Sequence, residues 1–352
     1  PASATLTAPD SAVAGAEVAV AFTGPPAGSG DFITITKPGD PDNKYMDYAY
    51  SKQGSPATLR MPLEPGAYEF RFVQNNTKVL ARKAVTVGAA EASVSAPESV
   101  PAGGEVEVAF TGPPPGSGDY ITVTEEGAPA NKYTDYAYAK NGSPAKIKMP
   151  LEPGAYEVRY VQASTKVIAS RKITVLAVGA SVKTKPSAIA GETVKIEFAG
   201  PAASGDFITV TEPSAPDNQY RDYAYTKNGS PAELRMPLEA GSYEIRFVQG
   251  NSKVLARQAI AIAAATATLS APASAAAGST VAVVFTGPPP GSGDYVTVTE
   301  VGAPDSKYLD YAYTKNASPA QIKMPATPGD YEIRFIHGNK YVLARKPIKV
   351  TP

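Results

Sequence analysis

The chain of 352 residues contains no cysteine and no tryptophan, and His337 is its single histidine. The lack of cysteine excludes disulfides, cysteine-ligated zinc and thiol catalysis. A single histidine excludes metal sites built from several histidines and leaves little room for a repeated Ser-His-Asp centre. We therefore expect a protein without metal, cofactor or catalytic residues, which means that it is not an enzyme.

The sequence also lacks an excess of either charge and a long hydrophobic run. Its 33 Lys and Arg balance 33 Asp and Glu, whereas a nucleic-acid-binding protein needs a concentrated positive field. No apolar stretch approaches the roughly 20 residues of a membrane-spanning helix. We expect neither a nucleic-acid partner nor a membrane span in this chain. Because it begins at Pro1 instead of Met, we expect a processed form or a fragment from which any export signal has been removed.

A repeat of about 88 residues fills the chain and leaves no room for a separate catalytic domain. The same Gly-Asp-aromatic block recurs four times, with its aspartate at Asp31, Asp119, Asp206 and Asp294. A second block, Asp-Tyr-Ala-Tyr, recurs at the same intervals. We predict four domains, at residues 1–88, 89–177, 178–264 and 265–352. Short Ala/Gly-rich junctions between them, such as residues 88–91, favour an elongated, rod-like array.

Each copy alternates apolar and polar residues in short runs separated by Gly, Pro, Asn and Ser, which is typical of antiparallel strands. Val18, Val20 and Phe22 form one such face. About seven runs fit in a copy, as in an immunoglobulin-like Greek-key sandwich. Tyr68 follows a Pro-Gly turn and is expected to form a tyrosine corner. The predicted fold is all-β, with four tandem Ig-like β-sandwich domains. One equivalent inward position is predicted for Met61, Met149, Met236 and Met324.

The succession of Phe22-Thr23-Gly24-Pro25, Gly30-Asp31-Phe32-Ile33-Thr34, Asp47-Tyr48-Ala49-Tyr50 and Gly66-Ala67-Tyr68-Glu69-Phe70-Arg71-Phe72 resembles Ig-like repeats of exported proteobacterial envelope proteins. Such repeats are sometimes found beside von Willebrand factor A domains, and this chain contains no such domain. The family pattern often has Trp where this chain has Phe22. The resemblance implies an exported location, which is extracellular, at the cell surface or periplasmic, and a role as a spacer or interaction unit.

Paired tyrosines on one strand face are the candidate interaction surface. Two interpretations stay open: either both rings are exposed for a protein or sugar partner, or Ala49 points outward and both rings lie in the core. The eight tyrosines are Tyr48 and Tyr50, Tyr136 and Tyr138, Tyr223 and Tyr225, and Tyr311 and Tyr313.

Other polar residues have simpler structural interpretations. Glu69 and Arg71 are expected on the outward face of their strand, in a soluble ladder beside Thr34. Asp31 is expected to accept backbone N–H bonds at a turn, because a repeated calcium site would need its neighbouring carboxylates in every copy. His337 stands where other copies have Gln, which indicates a polar loop. Asn141-Gly142 suits a tight hairpin.

The sequence therefore predicts a non-enzymatic structural or interaction protein of the bacterial cell surface, acting as a rod-like stalk, spacer or adhesive segment. One alternative is a self-assembling subunit of a surface layer or extracellular filament, since sheet edges can pair with another chain. A second alternative is a multivalent carbohydrate-binding array. The partner, whether protein, glycan or a second copy, is not identified by these patterns.

Overall fold

The structure, a computed structural model, describes residues 2–352. The chain forms four equivalent repeats of two sheets each, which we number 1 to 4. Repeat 1 contains β1 (Thr5–Thr7), β2 (Ser11–Val13), β3 (Glu17–Thr23), β4 (Phe32–Thr36), β5 (Asp47–Tyr50), β6 (Ala57–Arg60), β7 (Gly66–Gln74) and β8 (Lys78–Gly88). One sheet has the order β1-β3-β6, and the other has the order β2-β8-β7-β4-β5.

The other repeats have the same two sheets in the same order. Repeat 2 contains β9 (Ser93–Ser95), β10 (Ser99–Pro101), β11 (Glu105–Thr111), β12 (Tyr120–Glu125), β13 (Asp135–Tyr138), β14 (Ala145–Lys148), β15 (Gly154–Gln162) and β16 (Lys166–Leu176). Repeat 3 contains β17 (Ser181–Lys183), β18 (Ser187–Ile189), β19 (Thr193–Ala199), β20 (Phe207–Thr211), β21 (Asp222–Tyr225), β22 (Ala232–Arg235), β23 (Gly241–Gln249) and β24 (Lys253–Ala263). Repeat 4 contains β25 (Thr268–Ser270), β26 (Ser274–Ala276), β27 (Thr280–Thr286), β28 (Tyr295–Glu300), β29 (Asp310–Tyr313), β30 (Ala320–Lys323), β31 (Gly329–His337) and β32 (Tyr341–Thr351).

The predicted all-β fold of four tandem immunoglobulin-like sandwiches is confirmed, although each repeat has one strand more than expected. The additional strand is β2, which follows the opening strand β1 and joins the other sheet. β1 pairs antiparallel with β3, and after a short bend β2 pairs parallel with the end of β8. The start of each repeat therefore supplies an edge strand to both of its sheets. No helix within residues 2–352 has the length and hydropathy to cross a bilayer.

The core of each repeat lies between its two sheets and follows the predicted alternation. In repeat 1, Val20, Leu59 and Phe70 have no exposed surface, and they belong to one cluster. The equivalent methionines are all buried, as predicted. The tyrosine corner is also confirmed, because the Tyr68 hydroxyl donates a 3.0 Å hydrogen bond to the carbonyl of Glu64. Without disulfide or tryptophan, these sandwiches depend on aliphatic and phenyl packing.

The predicted hairpin at Asn141-Gly142 is wrong. β13 and β14 belong to different sheets, so a tight turn cannot join them. The connection is instead a short 3-10 helix, Ala139–Asn141, which ends at Gly142 with a φ of +93°. The other repeats have equivalent 3-10 helices at Ser51–Gln53, Thr226–Asn228 and Thr314–Asn316. The Asn-Gly pair correctly indicates a positive φ at this point. Here, however, the chain crosses from one sheet to the other instead of forming a hairpin.

The chain divides into two compact units, Pro1–Ala177 and Val178–Pro352. Repeats 1 and 2 form the first unit, and repeats 3 and 4 form the second. The bounds of the four domains predicted from the repeat stay predictions.

Candidate interaction surface

The paired tyrosines lie on the edge strand of the five-stranded sheet. β5 pairs with β4 on one side and ends the sheet. Ala49 points inward and packs against the core cluster, so Tyr48 and Tyr50 point outward and are 41% and 37% exposed. The rings are thus exposed and not in the core, and their role as an interaction surface stays a prediction. Similar exposure is found for Tyr136, Tyr138, Tyr223, Tyr225, Tyr311 and Tyr313.

Two further aromatic residues join each pair, and sequence analysis missed both. In repeat 1 the ring of Tyr45, which comes from the loop before β5, lies 4.8 Å from the ring of Tyr48. Phe32 of β4 lies 5.9 Å from Tyr48, and Tyr50 lies 5.3 Å from Tyr48 on the other side. All three contacts have the edge-to-face geometry that aromatic quadrupoles favour. We call these four residues and their equivalents the tyrosine cluster.

The cluster is nearly identical in all four repeats. The spacing from the loop tyrosine to the first strand tyrosine is 4.9, 4.7 and 5.0 Å in repeats 2, 3 and 4. The spacing between the two strand tyrosines is 5.3 Å each time. The additional members are Tyr120 and Tyr133, Phe207 and Tyr220, and Tyr295 and Tyr308. The recurrence of a tyrosine two residues before each Asp-Tyr-Ala-Tyr block could have revealed the loop tyrosine of each cluster.

A lysine ends each cluster. Lys52 Nζ lies 5.2 Å from the ring centroid of Tyr50, which is within the range of a cation–π contact. The equivalents Lys140, Lys227 and Lys315 lie 5.3 to 5.4 Å from their tyrosines. Hydrogen bonding to the Tyr50 hydroxyl, followed by the nearby phenols and burial, raises the pKa of Tyr48 above its ordinary value of 10.0. The Tyr48 hydroxyl is therefore neutral at physiological pH and can both donate and accept hydrogen bonds.

Open grooves run beside the clusters. In repeat 1 a groove of about 260 Å³ is lined by the cluster together with Ser29 and Asn76. In repeat 3 a groove of about 330 Å³ is lined by the cluster with Asn218 and Asn251. In repeat 2 the groove is about 600 Å³, and Glu17 of repeat 1 contributes to its wall. Each of these grooves combines aromatic faces with small polar side chains.

The predicted exposed ladder of Glu69 and Arg71 is wrong. Arg71 lies on the outer face of the sheet, but it is fully buried because the loop of residues 37–44 covers it. Its guanidinium donates hydrogen bonds to the carbonyls of Asp40 at 3.0 Å and Pro41 at 2.8 Å, and Nε donates to Glu69 Oε1 at 2.7 Å. The equivalent Arg159, Arg246 and Arg334 hold their own loops in the same way.

This buried arginine positions the tyrosine cluster. The loop that Arg71 holds leads directly to Tyr45, the loop member of the cluster. Thr34 supports the other side, because its hydroxyl donates a 2.7 Å hydrogen bond to the carbonyl of Asp47 at the start of β5. The cluster is thus held from beneath by hydrogen bonds from two fully buried side chains, Arg71 and Thr34.

The aspartates repeated in every copy accept backbone N–H bonds, as expected. Asp31 accepts from Gly28 at 2.9 Å and from Asn75 at 2.8 Å, which ties two loops together. Asp47 accepts from the N–H of Arg60. Among residues 2–352 there is no group of three or more acidic or histidine side chains that could hold a metal ion. Asp31 and Asp47 thus act as turn and loop anchors.

His337 is not in a polar loop but is buried between repeats 3 and 4. Its Nδ1 lies 2.9 Å from Asp294 Oδ1, and its Nε2 lies 3.0 Å from the carbonyl oxygen of Ala190. Sequence analysis missed this role because Ala190 is 147 residues away. The equivalence of His337 with glutamine in the other repeats was the informative observation. Gln162, at the equivalent position, is likewise buried between repeats 1 and 2.

No protein-family model matches the chain, and no curated protein matches its sequence. Several solved structures align with it at low identity. The ICAM-5 D1-D4 ectodomain fragment is 11% identical, covers 99% of both chains and has a TM-score of 0.18. The BSP domain of a biofilm associated protein is 7% identical, covers 99% of this chain and 96% of its own, and has a TM-score of 0.22. The Bacteroides ovatus mixed-linkage glucan utilization locus protein SGBP-B, in complex with a mixed-linkage heptasaccharide, is 13% identical, covers 96% and 85%, and has a TM-score of 0.19. These TM-scores are too low to transfer a function from any of the three.

Proposed function

We propose that this chain is a non-enzymatic adhesive segment of an exported bacterial surface protein, whose four tyrosine clusters bind a polysaccharide together. The observation that carries the proposal is the fourfold repetition of one exposed aromatic cluster with a constant 5.3 Å spacing of its strand tyrosines. Packing within a sandwich does not require rings outside the core. Repeated exposed rings are therefore explained better by a ligand that is itself repetitive.

The chemistry of the cluster suits a sugar. Exposed phenol rings offer flat apolar faces to the C–H surface of a pyranose, and their neutral hydroxyls can bond with sugar hydroxyls. The grooves add amide and hydroxyl groups, such as Asn76 and Ser29 in repeat 1. A pocket lined by aromatic residues with a few placed polar groups is the general pattern of small-ligand sites.

Multivalency makes weak sites effective. Each cluster is shallow, so we expect millimolar affinity for one oligosaccharide. When sites are linked, each further contact becomes intramolecular, and total affinity can rise by about 10² to 10⁴. A role as a stalk or spacer, with an extracellular, cell-surface or periplasmic location, belongs to the same proposal, because an adhesive segment also spans a distance.

Native gel electrophoresis in gels that contain a polysaccharide tests this function. The panel includes neutral, uronic-acid and amino-sugar polymers. We expect one or more of them to retard the full chain, and we expect replacement of all eight strand tyrosines by alanine to restore free migration. Replacing only Tyr136 and Tyr138 should weaken retention by about tenfold or more, through lost avidity.

The matched control is Val284→Ala, which removes an exposed apolar side chain outside the clusters and should leave retention unchanged. Melting curves confirm that each variant is folded. Retention that survives loss of the eight tyrosines would disprove the assignment, as would binding to no polymer of the panel. Tyrosine-dependent capture of a protein ligand alone would replace the sugar by a protein partner.

A further inference from the structure

Repeats 1 and 2 are joined by specific polar contacts. Arg60 reaches across the joint, where its guanidinium donates to the carbonyl of Ser117 and pairs with Asp119. Gln162 donates a 2.8 Å hydrogen bond to the carbonyl of Ala14. Lys166 Nζ donates a 2.7 Å hydrogen bond to the carbonyl of Leu63 and lies 2.9 Å from Glu64 Oε1. We call the contributing surface of repeat 1 its presenting face: Ala14, Arg60, Leu63 and Glu64. We call the surface that it meets on repeat 2 a receiving face: Ser117, Asp119, Gln162 and Lys166.

Repeats 3 and 4 are joined by similar contacts. Arg235 donates a 2.5 Å hydrogen bond to the carbonyl of Ser292, and its guanidinium lies 3.6 Å from Asp294. Glu239 accepts a hydrogen bond from the Tyr341 hydroxyl at 2.7 Å and pairs with Lys340 at 2.9 Å. Two independent joints thus pair an arginine with an aspartate at equivalent positions. The glutamate pairs with Lys166 in the first joint and with Lys340 in the second, where Tyr341 occupies the position of Lys166.

Repeat 1 has the same receiving face. Ser29, Asp31, Gln74 and Lys78 occupy the positions of Ser117, Asp119, Gln162 and Lys166. Gln162 is 0% exposed under repeat 1, whereas Gln74 is partly exposed and Lys78 is exposed. Within residues 2–352, the Gln74 side-chain amide makes no hydrogen bond and Lys78 makes no ion pair. The first receiving face therefore retains all its polar groups, while its counterparts on repeats 2 and 4 are covered.

Repeat 4 has altered the matching presenting face. The sequence Arg-Met-Pro-Leu-Glu of residues 60–64 becomes Lys-Met-Pro-Ala-Thr at residues 323–327. Thr327 replaces the glutamate that pairs with lysine, and Ala326 replaces Leu63. The receiving face of repeat 1 is therefore intact, whereas the presenting face of repeat 4 lacks its carboxylate.

We propose that the receiving face of repeat 1 is an interaction surface for one more repeat of this type, whose presenting face carries Arg, Leu and Glu at the positions of Arg60, Leu63 and Glu64. The charges are complementary, because Asp31 would meet the arginine and Lys78 the glutamate. A second copy of the present chain is a poor occupant, since repeat 4 offers Lys323 and Thr327. The cluster groove of repeat 1 would gain a wall from this occupant, as the groove of repeat 2 gains Glu17.

The test restores the missing presenting face on repeat 4. The full-length variant Lys323→Arg/Ala326→Leu/Thr327→Glu should associate head to tail. The joints within the chain act at an effective concentration on the order of 1 mM, as short linkers provide, so small-angle scattering is measured up to about 1 mM. At that concentration we expect the weight-average mass of the triple variant to rise about twofold, while the unchanged chain stays monomeric.

Adding Gln74→Arg to the triple variant blocks the receiving face. The new side chain is bulky, and its positive charge repels the incoming arginine. This change is at a partly exposed position, so melting should be unaffected, and the mass should return to that of the monomer. A triple variant that remains monomeric overturns the inference, and so does association that Gln74→Arg leaves intact. The readout is mass instead of polysaccharide retention, so this result is independent of the proposed adhesive function.

Discussion

The outer face of each five-stranded sheet has two regions with opposite character. In the middle, on β4 and β7, the charged side chain of Arg71 is 0% exposed. At the edge, on β5, the rings of Tyr48 and Tyr50 are open to solvent. Hydropathy alone would predict an exposed arginine and buried tyrosines. What decides their exposure is the loop of residues 37–44, which covers the middle of the sheet and stops short of its edge.

The exposed region depends on the buried one. A buried guanidinium must satisfy its donors, and here they meet loop carbonyls and Glu69. The loop in return is held in one place and delivers Tyr45 to the cluster. The arginine is therefore a positioning residue for the exposed surface, and disruption of the buried region should disturb the tyrosines, whereas the reverse should not hold.

The largest expected effect comes from Arg246→Ala in repeat 3. This change leaves the carbonyls of Ala215 and Pro216 without a donor and Glu244 without its buried partner. Breaking a buried ion pair of this kind costs about 3 kcal/mol or more. We expect the first transition in calorimetry to shift to lower temperature, together with a change in tyrosine fluorescence. Arg257→Ala, on a partly exposed partner of the same Glu244, is the control and should change stability by less than about 1 kcal/mol. Equal effects of both variants would mean that the buried position has no special role.

A smaller effect is expected from pH in repeat 2. Hydrogen bonding from Arg159, together with the Gly127 N–H, lowers the pKa of Glu157 below its usual 4.5, although burial opposes the shift. The pair therefore contributes its full stability above about pH 4.5, and this contribution is lost as the pH falls through the lowered pKa. Glu157→Gln should reduce the stability of repeat 2 by about 1 kcal/mol at neutral pH.

Hydrogen exchange of β15 amides, measured from about pH 6 to about pH 3 after correction for the intrinsic exchange rate, checks this prediction. The difference between the unchanged chain and the Gln variant should shrink toward acid. A difference that stays constant over this range would show that the Glu157 charge contributes nothing to the fold.

The smallest effect is expected from the lysines at the exposed tyrosine clusters. Replacing Lys52, Lys140, Lys227 and Lys315 by alanine removes a solvent-facing cation–π contact from each cluster. We expect the melting temperature to move by less than about 2 °C. Affinity for a uronic-acid polysaccharide should fall by about two- to threefold per site, while affinity for a neutral one should not change. A large loss of stability would show that the lysines belong to the fold.

Much of the fold could be predicted because its signals are local. Alternation with a period of two predicts strands wherever it occurs, and the inward methionines follow from it. The tyrosine corner follows from the turn that precedes Tyr68. The candidate site was predicted only in part. Tyr48 and Tyr50 share a strand, so their common face was visible, but Phe32 and Tyr45 reach the cluster from another strand and a loop.

By itself, the sequence determined the fourfold repeat, the all-β class, the strand faces and the lack of chemistry that needs cysteine or several histidines. These properties depend on residue type and on neighbours a few positions away. Only the tertiary structure decided that Arg71 is buried, that the paired tyrosines are exposed and that His337 lies in a joint. Each of these depends on which loop or repeat covers the side chain or leaves it open. The covering residues are distant along the chain, 30 positions away between Arg71 and Pro41 and 147 between His337 and Ala190.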